Sequence, residues 1–214
     1  MFKLCVFDMD GTLVDSIGDI AAAMNRSLEK LGHETYSVSE YKHMVGNGME
    51  VLCRRAMHGE NEERIQKLIE LYKKDYLKNC CVLSKLYPGM GELIKELSRN
   101  GIKCAVLSNK PHEQVMEIAE KIMDCDDYFK IMGQSDRFPT KPAPDSLLYI
   151  IKESGVDKSN IAYIGDSNVD IKLGKAAGVF TVGAAWGFRG EGELRAEGAS
   201  AIAHDSKELK EVLM

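Results

Sequence analysis

Clustered basic charge, paired cysteines, histidine motifs and long apolar runs are all missing from this chain. Its 28 Lys and Arg are outnumbered by 33 Asp and Glu, for a formal net charge of −5. Counterion release from nucleic acid or an anionic membrane needs clustered cations, so neither is an expected partner. No apolar stretch approaches the roughly 20 residues of a membrane span, and the run Leu4–Phe7 is too short for a signal segment. Cysteines at 5, 53, 80, 81, 104 and 125 include no CxxC pair, which argues against a zinc site or a disulfide framework. Histidines at 33, 43, 58, 112 and 204 form no HxH or HExxH pattern and read as surface or loop residues. These absences describe a reduced, cytoplasmic protein. They do not forbid an anionic substrate, because one metal ion and one lysine can reverse a local field.

What is present is a rhythm. Short, continuously apolar runs at Lys3–Phe7, Lys103–Leu107, Ile161–Ile164 and Val179–Gly183, with a last short one at Ala201–Ala203, read as parallel strands covered on both faces. Helical stretches lie between them at Gly89–Asn100, Glu113–Met123, Asp145–Ser154 and Val169–Ala177, with Gly101, Gly155 and Gly178 where helices end. Alternation of this kind predicts an α/β fold with a doubly wound parallel sheet, Rossmann-like, and right-handed crossovers. Between Asp15 and about Leu83 the rhythm breaks. Ile17, Ile20, Ala21, Met24, Leu28 and Leu31 recur at helical spacing, as do Ile65, Leu68, Ile69, Tyr72 and Tyr76. The expected organisation is therefore a catalytic core of residues 1–15 and 84–214, with a small helical cap domain of residues 16–83 inserted after the first strand. Open sheets bind ligands at the carboxyl ends of their strands, so the insert would cover the site as a lid.

Polar clusters stand at those ends: Asp8-Met9-Asp10-Gly11-Thr12, Ser108-Asn109-Lys110, Thr140-Lys141-Pro142 before a helix, and Gly165-Asp166-Ser167-Asn168-Val169-Asp170. Converging on one crevice, Asp8, Asp10, Asp166 and Asp170 would be crowded carboxylates that resist ionising without a cation. A hard, oxygen-ligated ion such as Mg²⁺ resolves that repulsion. Lys141 adds fixed positive charge and Ser108 a hydroxyl, which makes an anion cradle suited to phosphoryl transfer. A carboxylate can act as nucleophile through an aspartyl-phosphate, and a second one can move the protons. Each cluster also has a plainer role, since Asp before Gly favours turns and Ser108-Asn109 or Asp166-Ser167 could cap helices.

The set Asp8-x-Asp10-Gly11-Thr12, Ser108-Asn109, Lys141-Pro142 and Gly165-Asp166-Ser167-x-x-Asp170 resembles the haloacid dehalogenase superfamily, in its phosphatase branch, over nearly the whole chain. The resemblance implies that Asp8 is nucleophile and metal ligand, and that Asp10 is general acid/base and ligates through its carbonyl. It implies that Ser108, with Asn109 and Gly11, and Lys141 hold the transferring phosphoryl group. Asp166 would complete a Mg²⁺ site, and Asp170 would ligate through water or pair with Lys141. Val45-Gly46-Asn47-Gly48, Ser108-Asn109-Lys110-Pro111 and the tail Ala185-Trp186-Gly187-Phe188-Arg189 resemble phosphoglycolate phosphatases. That similarity implies a small phosphorylated metabolite as substrate. A phosphosugar mutase of the β-phosphoglucomutase type and a pyrophosphatase share the motifs and stay open. Gly46, Asn47 and Gly48 fit a plain turn as well as a substrate loop, and Arg54-Arg55 reads first as decoration of a cap helix, with contact to a substrate carboxylate as the alternative. Whether the chain is a monomer or a dimer is not encoded in these patterns.

Overall fold

The computed structural model describes residues 2–214. The chain runs from β1 (Leu4–Phe7) through a short β2 (Val14–Asp15) into four helices, α1 (Ile17–Lys30), α2 (Val38–Met44), α3 (Met49–Ala56) and α4 (Glu62–Asn79). It returns through β3 (Lys85–Leu86) to α5 (Met90–Arg99), β4 (Lys103–Pro111), α6 (His112–Ile122) and β5 (Lys130–Gln134). Then come α7 (Asp145–Ser154), β6 (Ile161–Gly165), α8 (Asn168–Ala177), β7 (Phe180–Ala184), α9 (Glu191–Glu197), β8 (Ala201–Ala203) and α10 (Ser206–Leu213).

Six strands form one parallel sheet in the order β5-β4-β1-β6-β7-β8. This is the doubly wound α/β architecture the alternation predicts. All four residues of β1 are buried, with Leu4 and Val6 in one apolar layer and Cys5 and Phe7 in the other. The period of two in side-chain direction explains that split, and helices on both faces explain why the run has no polar alternation. Strand β1 lies between β4 and β6, where the chain's winding reverses, so the carboxyl ends of these three strands bound one crevice.

The edge strand β5 escapes a reading by apolar runs. Lys130, Ile131 and Met132 are only half-buried, so this edge strand lacks the continuous buried run of a central strand. Strands β2 and β3 are two residues each and pair antiparallel, Val14 with Leu86 and Asp15 with Lys85. They tie the outgoing and returning chain together beside the crevice. Helices α1–α4 lie between them, with Met24, Leu28, Leu68, Tyr72 and Tyr76 buried. An ion pair joins Arg26 to Asp75 across α1 and α4.

Buried Asp19 on α1 fastens the return of this helical unit. Its carboxylate accepts from the backbone N–H groups of Val82, Leu83 and Ser84 at 2.8–3.1 Å and from Ser84 Oγ at 2.6 Å. Asp19→Ala removes the acceptor for all of these donors. The expected loss is about 2 kcal/mol of unfolding free energy. An unchanged urea midpoint would contradict this clasp.

Candidate active site

Asp8 follows β1 directly, and its N–H donates to Ile164 O at 2.8 Å, which continues the β1–β6 ladder past the strand end. The chain then turns sharply, with the N–H groups of Leu13 and Val14 both donating to Met9 O. Gly11 makes this turn possible. It has φ +84°, and a Cβ there would collide with the Asp166 carboxylate. Gly165, at the end of β6, is needed for a similar reason, since a Cβ would strike Asp170. Small residues thus let two acidic loops approach each other closely.

Asp8, Asp166 and Asp170 offer carboxylate oxygens that all lie within 4.8 Å of one another. Lys141, buried to 4 % exposure, extends between them, with Nζ 2.8 Å from Asp8 Oδ1 and 2.8 Å from Asp170 Oδ1. Lys141 Nζ also donates to Tyr163 Oη at 3.1 Å. The same ammonium is the partner of Asp8 Oδ1, a buried oxygen with no other donor among the described residues. Asp170 is more fully engaged, accepting from Lys141 and from Ser167 Oγ at 2.6 Å. Asp166 Oδ2 accepts from the Phe188 N–H at 2.7 Å.

Electrostatics follow from this crowding. Burial pushes the Asp8 carboxyl up to about 7; Lys141 opposes the shift and Asp170 reinforces it. Burial and then Asp170 raise Asp166 well above the carboxylate range. Burial works against the charge of Lys141, but Asp170 and Asp8 outweigh it and hold the ammonium charged. Three clustered carboxylates face one lysine. The surplus negative charge fits a divalent cation held by Asp8 and Asp166, with Asp170 occupied mainly by Lys141.

The Asp10 carboxylate is turned away from this cluster. Lys110 Nζ donates to its two oxygens at 2.8 and 2.6 Å, and Ser16 Oγ donates to Oδ1 at 2.5 Å. The ammonium of Lys110 also stands 4.7 Å from the ring centroid of Tyr76 on α4. Neither Lys110 nor Ser16 nor Tyr163 carries a site role in the sequence motifs. Lys110 sits beside Ser108-Asn109 and is detectable only once the chain folds it back onto Asp10, 100 residues away.

Ser108 is buried in the crevice, with its hydroxyl accepting from the Lys110 N–H at 3.3 Å. Asn109 Oδ1 accepts from the Lys141 N–H at 2.8 Å, while Nδ2 donates to Lys141 O and to Gly46 O at 3.1 Å each. One amide therefore positions the lysine loop and touches the loop between α2 and α3. That loop, with Gly46 and Gly48, lines the cleft, whereas Asn47 accepts from Arg55. Ile20, Leu52, Met49 and Tyr72 give the helical side of the cleft an apolar wall.

This constellation has known counterparts. Residues 5–184 match the model of the haloacid dehalogenase-like hydrolases. The chain belongs to that family. It is a phosphatase, a phosphoric monoester hydrolase of the family. A phosphoglycolate phosphatase of Pseudomonas putida is 32% identical over 214 residues, covering 97% of this chain and 78% of the relative. The phosphoglycolate phosphatase of Aquifex aeolicus is 33% identical over 187 residues, covering 87% of this chain and 86% of the relative. A crystal structure of a predicted phosphoglycolate phosphatase from Haemophilus somnus superposes with a TM-score of 0.93 at 27% identity, covering 100% of this chain and 98% of that one. Among the described residues no helix is long and apolar enough to cross a membrane.

Proposed function

We propose that this family phosphatase hydrolyses a small phosphorylated carboxylate of the phosphoglycolate type, using Asp8 as nucleophile and Mg²⁺ as cofactor. The observation that carries the mechanism is the buried Asp8 carboxylate lining the cleft, held by Lys141 at 2.8 Å and clustered with Asp166 and Asp170. A carboxylate oriented by one ammonium at the cleft is placed for attack. The names of the relatives support the choice of substrate. Residues 1–15 and 84–214 act as the catalytic core and residues 16–83 as the cap.

In this reading Asp8 attacks phosphorus in line, an O–P bond forms and the ester O–P bond breaks. Asp10, once protonated and released from its pairing with Lys110 and Ser16, gives its proton to the leaving alkoxide oxygen. Asp10 then takes a proton from water, which attacks the aspartyl-phosphate, releasing inorganic phosphate and restoring Asp8. Lys141 and the Ser108 hydroxyl, with backbone N–H groups near Asp10 and Asn109, bind the equatorial oxygens, while the Gly11 N–H is taken by Val14 O and Gly11 serves the close approach of the loops. Lys110 and Ser16 hold the Asp10 carboxylate in its resting position. Asp8 and Asp166, with the Asp10 carbonyl, would hold Mg²⁺, which when bound neutralises charge on the phosphoryl oxygens.

The substrate test is a panel of phosphoglycolate, hexose phosphates, nucleotides and pyrophosphate compared by kcat/KM. Phosphoglycolate or a close carboxylate ester should lead, and a clear preference for any other class would overturn the substrate assignment. Metal dependence has its own test by melting. Asp8 titrates near 7 in the folded chain against an ordinary 3.8, so the folded form holds the extra proton between about pH 4 and 7. Stability of chelator-treated protein should therefore fall as pH rises through that window, with raised Asp166 adding to the fall. A bound cation favours the ionised carboxylates, so the Tm gain on adding Mg²⁺ should be larger at pH 8 than at pH 5. No Tm response at either pH would sink the metal assignment.

A further inference from the structure

Three cations line the cleft, and two of them are already matched. Lys141 is matched to Asp8 and Asp170, and Lys110 to Asp10. The third, Arg189, makes no ion pair among the described residues. One of its terminal nitrogens donates to Val45 O at 2.9 Å, which ties the tail after β7 to the loop between α2 and α3. The rest of its donor fork is left free at the cleft. Arg55, on α3, approaches the same loop from the other side. It donates to Met44 O at 2.6 Å and to Asn47 Oδ1 at 2.9 Å, and it too has no carboxylate partner among the described residues. Burial and then the charge of Arg189 disfavour the Arg55 guanidinium, so the two cations feel each other. Neighbouring Arg54 differs, being fully engaged by Glu50 and Glu62 at 2.7–2.9 Å.

Two guanidinium groups gathered on one loop without an acid between them repel each other until an anion arrives. A guanidinium fork matches the planar or tetrahedral oxygens of carboxylate and phosphate better than any other side chain. The transferring phosphoryl group has its own cradle at Ser108 and Lys141. An anion at Arg189 would therefore belong to the other end of the substrate.

We infer that Arg189, assisted by Arg55, reads a second anionic group on the substrate's leaving portion, a carboxylate or a second phosphate, at the seam between core and cap. The inference rests on the proposed reading of the cleft and adds to it the residues that select the leaving group. Part of the selecting cation then comes from the core tail, not from the cap alone.

The experiment compares matched esters that differ only in the distal charge. One pair is 2-phosphoglycolate against 2-hydroxyethyl phosphate, and the other is propanediol bisphosphate against 3-hydroxypropyl phosphate. Wild type should prefer the charged member of at least one pair by about 100-fold in kcat/KM, mostly through KM. Which pair gives the larger ratio distinguishes carboxylate from phosphate. Arg189→Gln, which keeps a donor for Val45 O, should collapse the favoured ratio to about 5-fold, with Arg189→Lys between the two and Arg55→Gln giving a smaller drop. Equal loss for both members of each pair would make Arg189 a structural latch and overturn the inference, as would an unchanged ratio. A strong preference in the bisphosphate pair with phosphoglycolate ignored would remove the phosphoglycolate assignment and leave the anion site standing.

Discussion

Asp8→Asn is expected to lower kcat by about 10⁵-fold while the protein stays folded, because an amide of the same shape cannot form the aspartyl-phosphate. Loss of the carboxylate also removes one of three crowded acids. Lys141 keeps its 2.8 Å pairing with Asp170, so no buried cation is left without a partner. The Tm should consequently move by only a few degrees. Turnover within tenfold of wild type, on the best ester of the panel, would eliminate Asp8 as nucleophile. A large Tm fall together with lost activity would show instead that Asp8 serves the fold.

The second large effect is expected at Lys141. Its ammonium is the charge that Asp8 and Asp170 share, in a place with almost no access to water. Lys141→Met fills similar volume but leaves both carboxylates without their cation. Breaking a buried pair from one side costs about 3–5 kcal/mol, which for a chain of this size corresponds to a Tm fall on the order of 10 °C. The remaining acids would escape part of the penalty by protonating, so the loss should be greater at pH 8 than at pH 5. Lys141→Met/Asp170→Asn removes one of the stranded charges and should recover part of the stability without recovering activity. A single variant as stable as wild type at pH 8 would mean that water reaches the cluster freely.

Apolar runs and cluster placement made most of the architecture legible. Strands β1, β6, β7 and β8 and helix α7 fall within a residue or so of where burial on both faces would put them. A fully buried parallel strand leaves a continuous apolar stretch that few other elements imitate. Strand β5 left no such trace, since its side chains are half-buried at the sheet edge. The β2–β3 pair is two residues long and exists only because the chain leaves and re-enters at one place.

The candidate site divides in the same way. Asp8, Asp166 and Asp170 were readable because they follow a strand or open a helix, and Lys141 because it precedes one; Ser108 and Asn109, expected just past a strand ending at Leu107, lie inside β4, which runs on to Pro111. The partners of Asp10 were not readable. Its carboxylate faces Lys110 and Ser16 and lies outside the cluster formed by Asp8, Asp166 and Asp170. A motif records which residues sit at a strand end, but the direction of a side chain depends on what packs around it. Tyr163 is a similar case, an apparently apolar strand residue whose hydroxyl reaches Lys141 and Asp170 across the sheet face.

The sequence by itself determined the fold class, the family and the order of the acidic and basic clusters, because strand burial and loop chemistry are local properties of the chain. Only the tertiary structure decided which charge answers which. Lys141 goes to Asp8 and Asp170, Lys110 goes to Asp10, and Arg189 has no acid among the described residues. Those pairings join residues far apart in the chain, and charge pairing in a buried cleft is settled by distances of a few ångströms that no spacing along the sequence contains.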